Sequence, residues 1–240
     1  MAFLAGIALA VLLGAVVQST VGFGFALLMV PIVTVIADPK VAVVTMTAIG
    51  LPLSCWNAIR WREHILVPEA ARVTAASLVG MPVGALLLTK ANDAVLTALV
   101  GAVVLVLTVA LWRRFALPAG RRSEYAAGAV AGALATSVGT SGPPVVIAFQ
   151  AAGLEPEPFR ATLAAAFLVE GAIALAAFWT IGLVDAEVGR GVLVGIPAMI
   201  LGVVAGERAF RRIDHGGFRA IVLALLALSG LLALASAATR

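Results

Sequence analysis

The sequence predicts an all-α polytopic membrane protein built as two inverted repeats, each a broken, re-entrant helical hairpin followed by three transmembrane helices. Three observations carry this reading. Of the 240 residues, 62% are hydrophobic and 12% charged, whereas a soluble domain is about half apolar and a quarter charged. The apolar residues form blocks near 41–59, 70–89, 95–112, 160–182, 188–206 and 217–237, close to the roughly 20 residues a helix needs to cross a bilayer. A β-barrel would show short alternating segments instead. Finally, two phrases occur twice. Ser19-Thr20-Val21-Gly22-Phe23-Gly24 is echoed 117 positions later by Thr136-Ser137-Val138-Gly139-Thr140-Ser141. Leu78-Val79-Gly80-Met81-Pro82 returns 115 positions later as Leu193-Val194-Gly195-Ile196-Pro197.

The first repeat is placed at 1–115, with a hairpin over 3–36 turning near Gly22 to Gly24, then helices at 41–59, 70–89 and 95–112. The second is placed at 116–240, with a hairpin over 124–152, then helices at 160–182, 188–206 and 217–237. Met1 to Val17 superficially reads as a secretion signal, with Ala8-Leu9-Ala10 as a cleavage-like site. It lacks a basic leading segment and corresponds to the interior stretch from Glu124, so it is expected to belong to the fold.

Loop charges orient the helices. Arg60, Arg62 and Arg72 follow the first helix after the hairpin. Arg113, Arg114, Arg121 and Arg122 fill the central linker, and Arg208, Arg211, Arg212 and Arg219 precede the last block. The other loops are weakly charged or balanced. Short loops rich in Lys and Arg stay cytoplasmic, so all three basic loops should share the inner face. Three blocks separate the central linker from the last basic loop: 124–152, 160–182 and 188–206. Three full crossings would put those loops on opposite sides, so one block must turn back. The block broken at Gly139-Thr140-Ser141-Gly142-Pro143-Pro144 is the candidate. Its arms, about 14 residues or 21 Å each, are too short to span. The plain alternative is eight simple crossings.

The breaks carry anion-binding chemistry. Where a helix restarts, its first N–H groups have no intrahelical partner and the dipole presents its positive end. Glycine permits close approach, and Ser and Thr add rotatable donors. A helix start of this kind attracts anions. The first tip offers Gln18, Ser19, Thr20, Gly22 and Gly24. The second offers Thr136, Ser137, Gly139, Thr140, Ser141 and Gly142. Neutral donors would favour release over very tight capture. The competing reading is helix packing, which small residues serve equally well. Discontinuous helices in duplicated membrane proteins point to a transport site.

Glu170 lies mid-block in 160–182. A carboxyl at that depth is costly and is a functional candidate by default, either as a proton carrier coupled to the anion or as a hydrogen-bonding group to a neighbouring helix. Thr45, Thr47, Asn57 and Thr162 read as interhelical contacts. Trp56 and Trp61, beside Arg60 and Arg62, read as an interfacial anchor. Cys55 is the single cysteine, so no internal disulfide is available, and no metal or cofactor site is indicated. His64 and His215 are placed in loops. The net charge of +4 sits between apolar blocks and does not indicate nucleic acid. The partners implied are lipid and a small anion, and a homo-oligomer is compatible with the sequence.

Val21-Gly22-Phe23-Gly24-Phe25-Ala26-Leu27-Leu28-Met29-Val30-Pro31 resembles the opening of the sulfite exporter TauE/SafE family. Gly139-Thr140-Ser141-Gly142-Pro143-Pro144-Val145 resembles a second-half signature of a subgroup of it. The resemblance extends along nearly the whole chain. It implies a multi-pass transporter in a bacterial inner membrane for sulfite, organosulfonates, thiosulfate or similar anions, in the direction of export. Phe23 and Phe25 stand where small residues are common in the family. Two rival readings remain. Gly139-Thr140-Ser141-Gly142 is similar to the Gly-x-Ser-Gly pattern of rhomboid intramembrane serine proteases, with Ser141 as nucleophile, but both histidines lie far from core depth and a nucleophile needs an adjacent base. A passive anion channel is the other, since an inside-negative potential alone drives a monoanion outward by about 2.3 kcal/mol per 100 mV.

Overall fold

The computed structural model describes residues 2–21, 23–113, 115–210 and 215–239, with side chains over 4–19, 23–113, 115–208 and 222–239. Among the described residues the chain is helical, with no strand. In order, the helices are α1 (Ala2–Val21), α2 (Phe25–Ile36), α3 (Pro39–Arg60), α4 (Val67–Lys90), α5 (Asp93–Trp112), α6 (Arg121–Ser137), α7 (Gly142–Ala151), α8 (Pro156–Thr180), α9 (Ala186–Phe210) and α10 (His215–Ala237). A 3-10 turn, Arg62–His64, joins α3 to α4. α3, α4, α5, α8 and α9 are each long and apolar enough to cross a membrane. Large apolar side chains such as Leu9, Val79, Val83, Val106, Leu193 and Leu201 are more than half exposed on the outside. That outer surface suits lipid rather than water.

Local chemistry sets the helix starts. Asp38 accepts from the Lys40 N–H at 2.7 Å with Pro39 in the first turn. Asn92 caps α5 through the Val95 N–H at 2.9 Å. Asp185 accepts from both Glu187 and Val188, each at 2.9 Å. These side chains satisfy amides that have no carbonyl partner within the helix. The helices therefore begin a few residues ahead of the apolar blocks, because the caps are polar and the blocks were read from apolar residues alone.

Both helix breaks are present, each built on a left-handed glycine: Gly24 at φ 103 and Gly139 at φ 70. Gly22 lies outside the described residues. The arms differ from the expected equal lengths. α1 has 20 residues and α2 has 12, about 30 and 18 Å. α6 has 17 and α7 has 10, about 25 and 15 Å. The longer arm of each hairpin lies along another helix, α1 along α9 and α6 along α4, and the 20 residues of α1 reach the length a bilayer crossing needs. His215, expected in a loop, is the first residue of α10.

Contacts at the glycines give the helix directions. Gly6 faces Ile36 and Gly14 faces Met29, so α2 folds back antiparallel along α1. α1 runs parallel to α9, with Gly202 against the Leu12 carbonyl and Gly206 against the Val16 carbonyl. α4 runs parallel to α6: Gly128 meets the Val73 carbonyl, Gly132 meets Ser77, Gly80 meets Ala129 and Gly84 meets Ala133. Backbones approach this closely only where no Cβ intervenes. α3 is parallel to α9, through Thr45 with Gly191 and Ile49 with Gly195, and antiparallel to α8. α4 and α8 run together, Leu66 beside Thr162 and Ser77 beside Glu170. It follows that α1 and α6 run in opposite directions and their hairpins open towards opposite ends. Exchanging α1–α5 with α6–α10 maps the main pairings onto themselves: α1·α9 becomes α6·α4, while α3·α8 and α5·α10 are unchanged.

The same directions bring Arg60, Arg62, Arg113, Arg121, Arg122, Arg160 and Arg208 to one end of the bundle. Arg60 pairs there with Glu207 at 2.6 Å. Arg72 bridges Glu69 at 2.7 Å and the buried Glu124 at the start of α6. The side chains of Arg114, Arg211, Arg212 and Arg219 lie outside the described residues.

Candidate functional site

The two breaks meet. Gly142, the first residue of α7, faces Phe23 of the first break, whose ring lies 3.7 Å from the position a Cβ would take. Gly139 lies against Val30 of α2 and Val43 of α3. Beside these contacts is a cavity of about 100 Å³ lined from both breaks: Gln18, Gly24 and Phe25 on one side, Gly139 through Pro143 on the other. Drug-sized ligands occupy about 300–1,000 Å³, so this space suits a solute of a few atoms.

At the first break, Gly24 turns the chain into α2 and the Gln18 Oε1 accepts from the Phe25 N–H at 3.1 Å. The first intrahelical bond is Leu28 N–H to Gly24 O at 3.1 Å. Ala26 and Leu27, in the first turn, where N–H groups have no carbonyl partner within the helix, also line the cavity. At the second break, Gly139 lets the Thr140 N–H reach back to the Leu134 carbonyl at 3.3 Å. Ser141 precedes α7 with no side-chain cap to the helix. Pro143 and Pro144 both occupy the first turn, so Gly142 alone of the first three positions has an N–H to offer. Amide supply at this break is therefore smaller than the sequence suggested, and the Thr140 and Ser141 hydroxyls are the larger donor set.

Not every candidate faces this space. Thr136 donates to the Met81 carbonyl at 2.7 Å, holding α6 to α4. Ser137 donates back to Ala133 at 2.6 Å within its own helix. Ser19 donates to Val16 at 2.9 Å and lies against Gly206 of α9. The Thr20 side chain and Gly22 lie outside the described residues. Gln18, Gly24, Gly139, Thr140, Ser141 and Gly142 all line the cavity.

Glu170 lines it too and is 1% exposed. Neither carboxylate oxygen makes a hydrogen bond of full geometry, and the Ser141 and Ser77 hydroxyls are the groups that face it. A buried carboxyl left this way is costly in its charged form. The remaining wall comes from α3 and α8: Thr47, read from sequence as an interhelical contact, and Gly50, Leu51, Ser54, Phe167 and Gly171, which the sequence reading passed over. A signal was present. Thr47, Gly50 and Ser54 recur at helical spacing and form one small, hydroxyl-bearing stripe, and Phe167, Glu170, Gly171 and Ala174 likewise share one face of α8. Thr162, read as an interhelical contact, accepts from the Leu66 N–H at 3.0 Å.

A family model described as sulfite exporter TauE/SafE matches residues 7–233. No curated protein and no solved structure matches the chain. The family is one of membrane transporters, not enzymes, so a hydrolytic role for Ser141 is set aside. With ten α-helices among the described residues, an apolar exterior and a match over nearly its whole length, the chain is a multi-pass membrane protein that belongs to the sulfite exporter TauE/SafE family.

Proposed function

We propose that this chain exports small sulfur-containing oxyanions, of the sulfite, thiosulfate or organosulfonate class, across a bacterial inner membrane. The solute is held in the cavity between the two breaks. The observation that carries the reading is that two segments 117 positions apart line one small space. Donors come from the Ala26, Leu27 and Gly142 amides, the Thr140, Ser141 and Ser54 hydroxyls and the Gln18 amide. Among the described residues no Lys or Arg lines this cavity, so binding rests on neutral dipoles and the solute can leave again.

The exchange of helix pairings and the opposed hairpins support two inverted repeats, 1–115 and 116–240, with both tips near mid-membrane. The arginine-rich end is then cytoplasmic by the loop-charge bias. Glu170 is the proton-coupling group: an anion beside a charged carboxylate is repelled, so anion and proton occupy the site together.

The test is a flux screen of reconstituted protein against sulfite, thiosulfate, a sulfonate, sulfate and acetate. Saturable flux of a sulfur oxyanion, lost in Gly142→Leu, is expected. Flux indistinguishable from protein-free liposomes, or a preference for acetate, overturns the proposal.

A further inference from the structure

The central cavity continues towards the arginine-rich end. Gln18 and Leu53, at its edge, also line a second cavity of about 200 Å³, whose wall includes Asn57, Arg60, Arg160 and Glu207. Trp61 and Arg160 are shared in turn with a third cavity of about 210 Å³, bordered by Pro156 and Glu157. Three hollows thus adjoin in a row from the helix breaks to one face of the bundle. Their chemistry changes along the row. The inner one offers neutral donors and a carboxyl. The second brings the Arg60 and Arg160 guanidinium groups and the Glu207 carboxylate to one wall.

Arg60 engages Glu207 at 2.6 Å, but the two side chains are 45% and 47% exposed. Such a pair is weak and screened by water, so Arg60 can exchange Glu207 for another anion. Arg60 also lies over the Trp61 ring, 5.6 Å from its centroid, which holds the guanidinium at the cavity wall. A guanidinium fork matches the oxygens of a small oxyanion better than an ammonium does.

We propose that the second cavity is an oxyanion vestibule. Arg160 and Arg60, each exchanging its present partner for the solute, hold a small oxyanion between the arginine-rich face and the central cavity, and Gln18 and Leu53 form the constriction between the two stations. The proposal rests on the reading of the central cavity as an anion site.

The test measures sulfite flux in proteoliposomes of defined orientation, with KM read separately at each face. Arg160→Gln raises KM at the arginine-rich face about tenfold, the worth of one charge-assisted hydrogen bond, while the opposite-face KM is unchanged and kcat from that opposite face falls to match, as equal kcat/KM in the two directions requires. Arg160→Lys recovers part of the loss. Glu207→Gln acts in the other direction and lowers KM at the arginine-rich face about threefold by freeing Arg60. A second readout needs no transport: sulfite titration of Trp61 fluorescence in a variant whose other tryptophans are phenylalanine. A Trp61 response lost in Arg160→Gln, without flux in the parent, keeps the vestibule and removes the transport reading. Normal flux with KM unmoved in both variants and no Trp61 response overturns the vestibule and leaves the central site standing. Equal KM changes at both faces also overturn it, because they mark a general structural effect.

Discussion

The hydroxyls of the second break divide sharply, and the division can be measured. In the phrase Thr136 to Ser141, four side chains carry an oxygen. Thr140 and Ser141 line the cavity. Thr136 is bonded to Met81 of α4 at 2.7 Å and Ser137 to Ala133 of its own helix at 2.6 Å. Ser141→Ala removes one donor from a charged acceptor, worth about 1.5–3 kcal/mol. That is a fall in affinity of about 10- to 100-fold. Ser137→Ala removes a back-bond that a helix does not need, so affinity stays within about twofold. Thr136→Val gives up one neutral bond between α6 and α4, about 0.5–1.5 kcal/mol of stability, and leaves affinity alone. The assay is sulfite binding and flux for the three variants beside thermal unfolding in detergent. If Ser137→Ala or Thr136→Val weakens binding as much as Ser141→Ala, the donors have been misassigned. If Ser141→Ala binds normally, the second break does not hold the solute.

Three further outcomes follow from the geometry. Gly50→Leu, on the opposite cavity wall, should block flux with membrane insertion intact, because a Cβ there meets only Phe25 at 3.8 Å and the rest of the side chain fills a space about three waters in size. Surviving flux would mean the solute passes elsewhere. Gly139→Ala should destabilise by about 1–2 kcal/mol through its left-handed backbone alone, seen as lower thermal stability, and a neutral result would contradict the break geometry. Glu170→Gln should flatten the pH dependence of flux, since co-binding of a proton makes wild-type flux fall as pH rises, and an unaltered slope excludes Glu170 from coupling.

Much of the helical body was legible because lipid imposes a simple rule: each apolar block must be a helix with its backbone satisfied internally. The breaks were legible because glycine and hydroxyl residues interrupt those blocks twice in register. What sequence could not supply was rotation about each helix axis. Thr136, Ser137, Thr140 and Ser141 look equivalent in a linear phrase, yet a few residues of α6 place the first two against α4 and its own backbone. Thr47 was grouped with Thr162 as an interhelical contact, but the two sit on different faces, one towards the cavity and the other against the α3–α4 turn. Proline was half understood. Pro143 fits the first turn of α7, but Pro143 and Pro144 together remove two of the donors that made a helix start attractive to an anion.

The packing also decides which parts can move around the cavity. α1 with α9, and α4 with α6, are joined glycine to carbonyl along several turns. Sliding either pair would drive a Cβ into a backbone oxygen, so each long hairpin arm travels with its partner helix. The α3 and α8 walls are held differently. Gly171 meets only the Leu51 methyl at 3.3 Å, and Gly50 meets only the Phe25 ring. Side-chain contacts of this kind rearrange by rotamer changes that backbone contacts do not permit. On the proposed transport reading, α8 is the wall least tied to the two glycine-joined pairs, since α3 is itself keyed into α9 by Thr45 at Gly191 and Ile49 at Gly195. Glu170 rides on α8 and Ser54 on α3, while Ser141 is carried by the α4–α6 pair. On that reading the separation of the Glu170 carboxyl from the Ser141 hydroxyl changes if α8 shifts against the α4–α6 pair, and with it the repulsion between a charged carboxylate and an anion held at the second break.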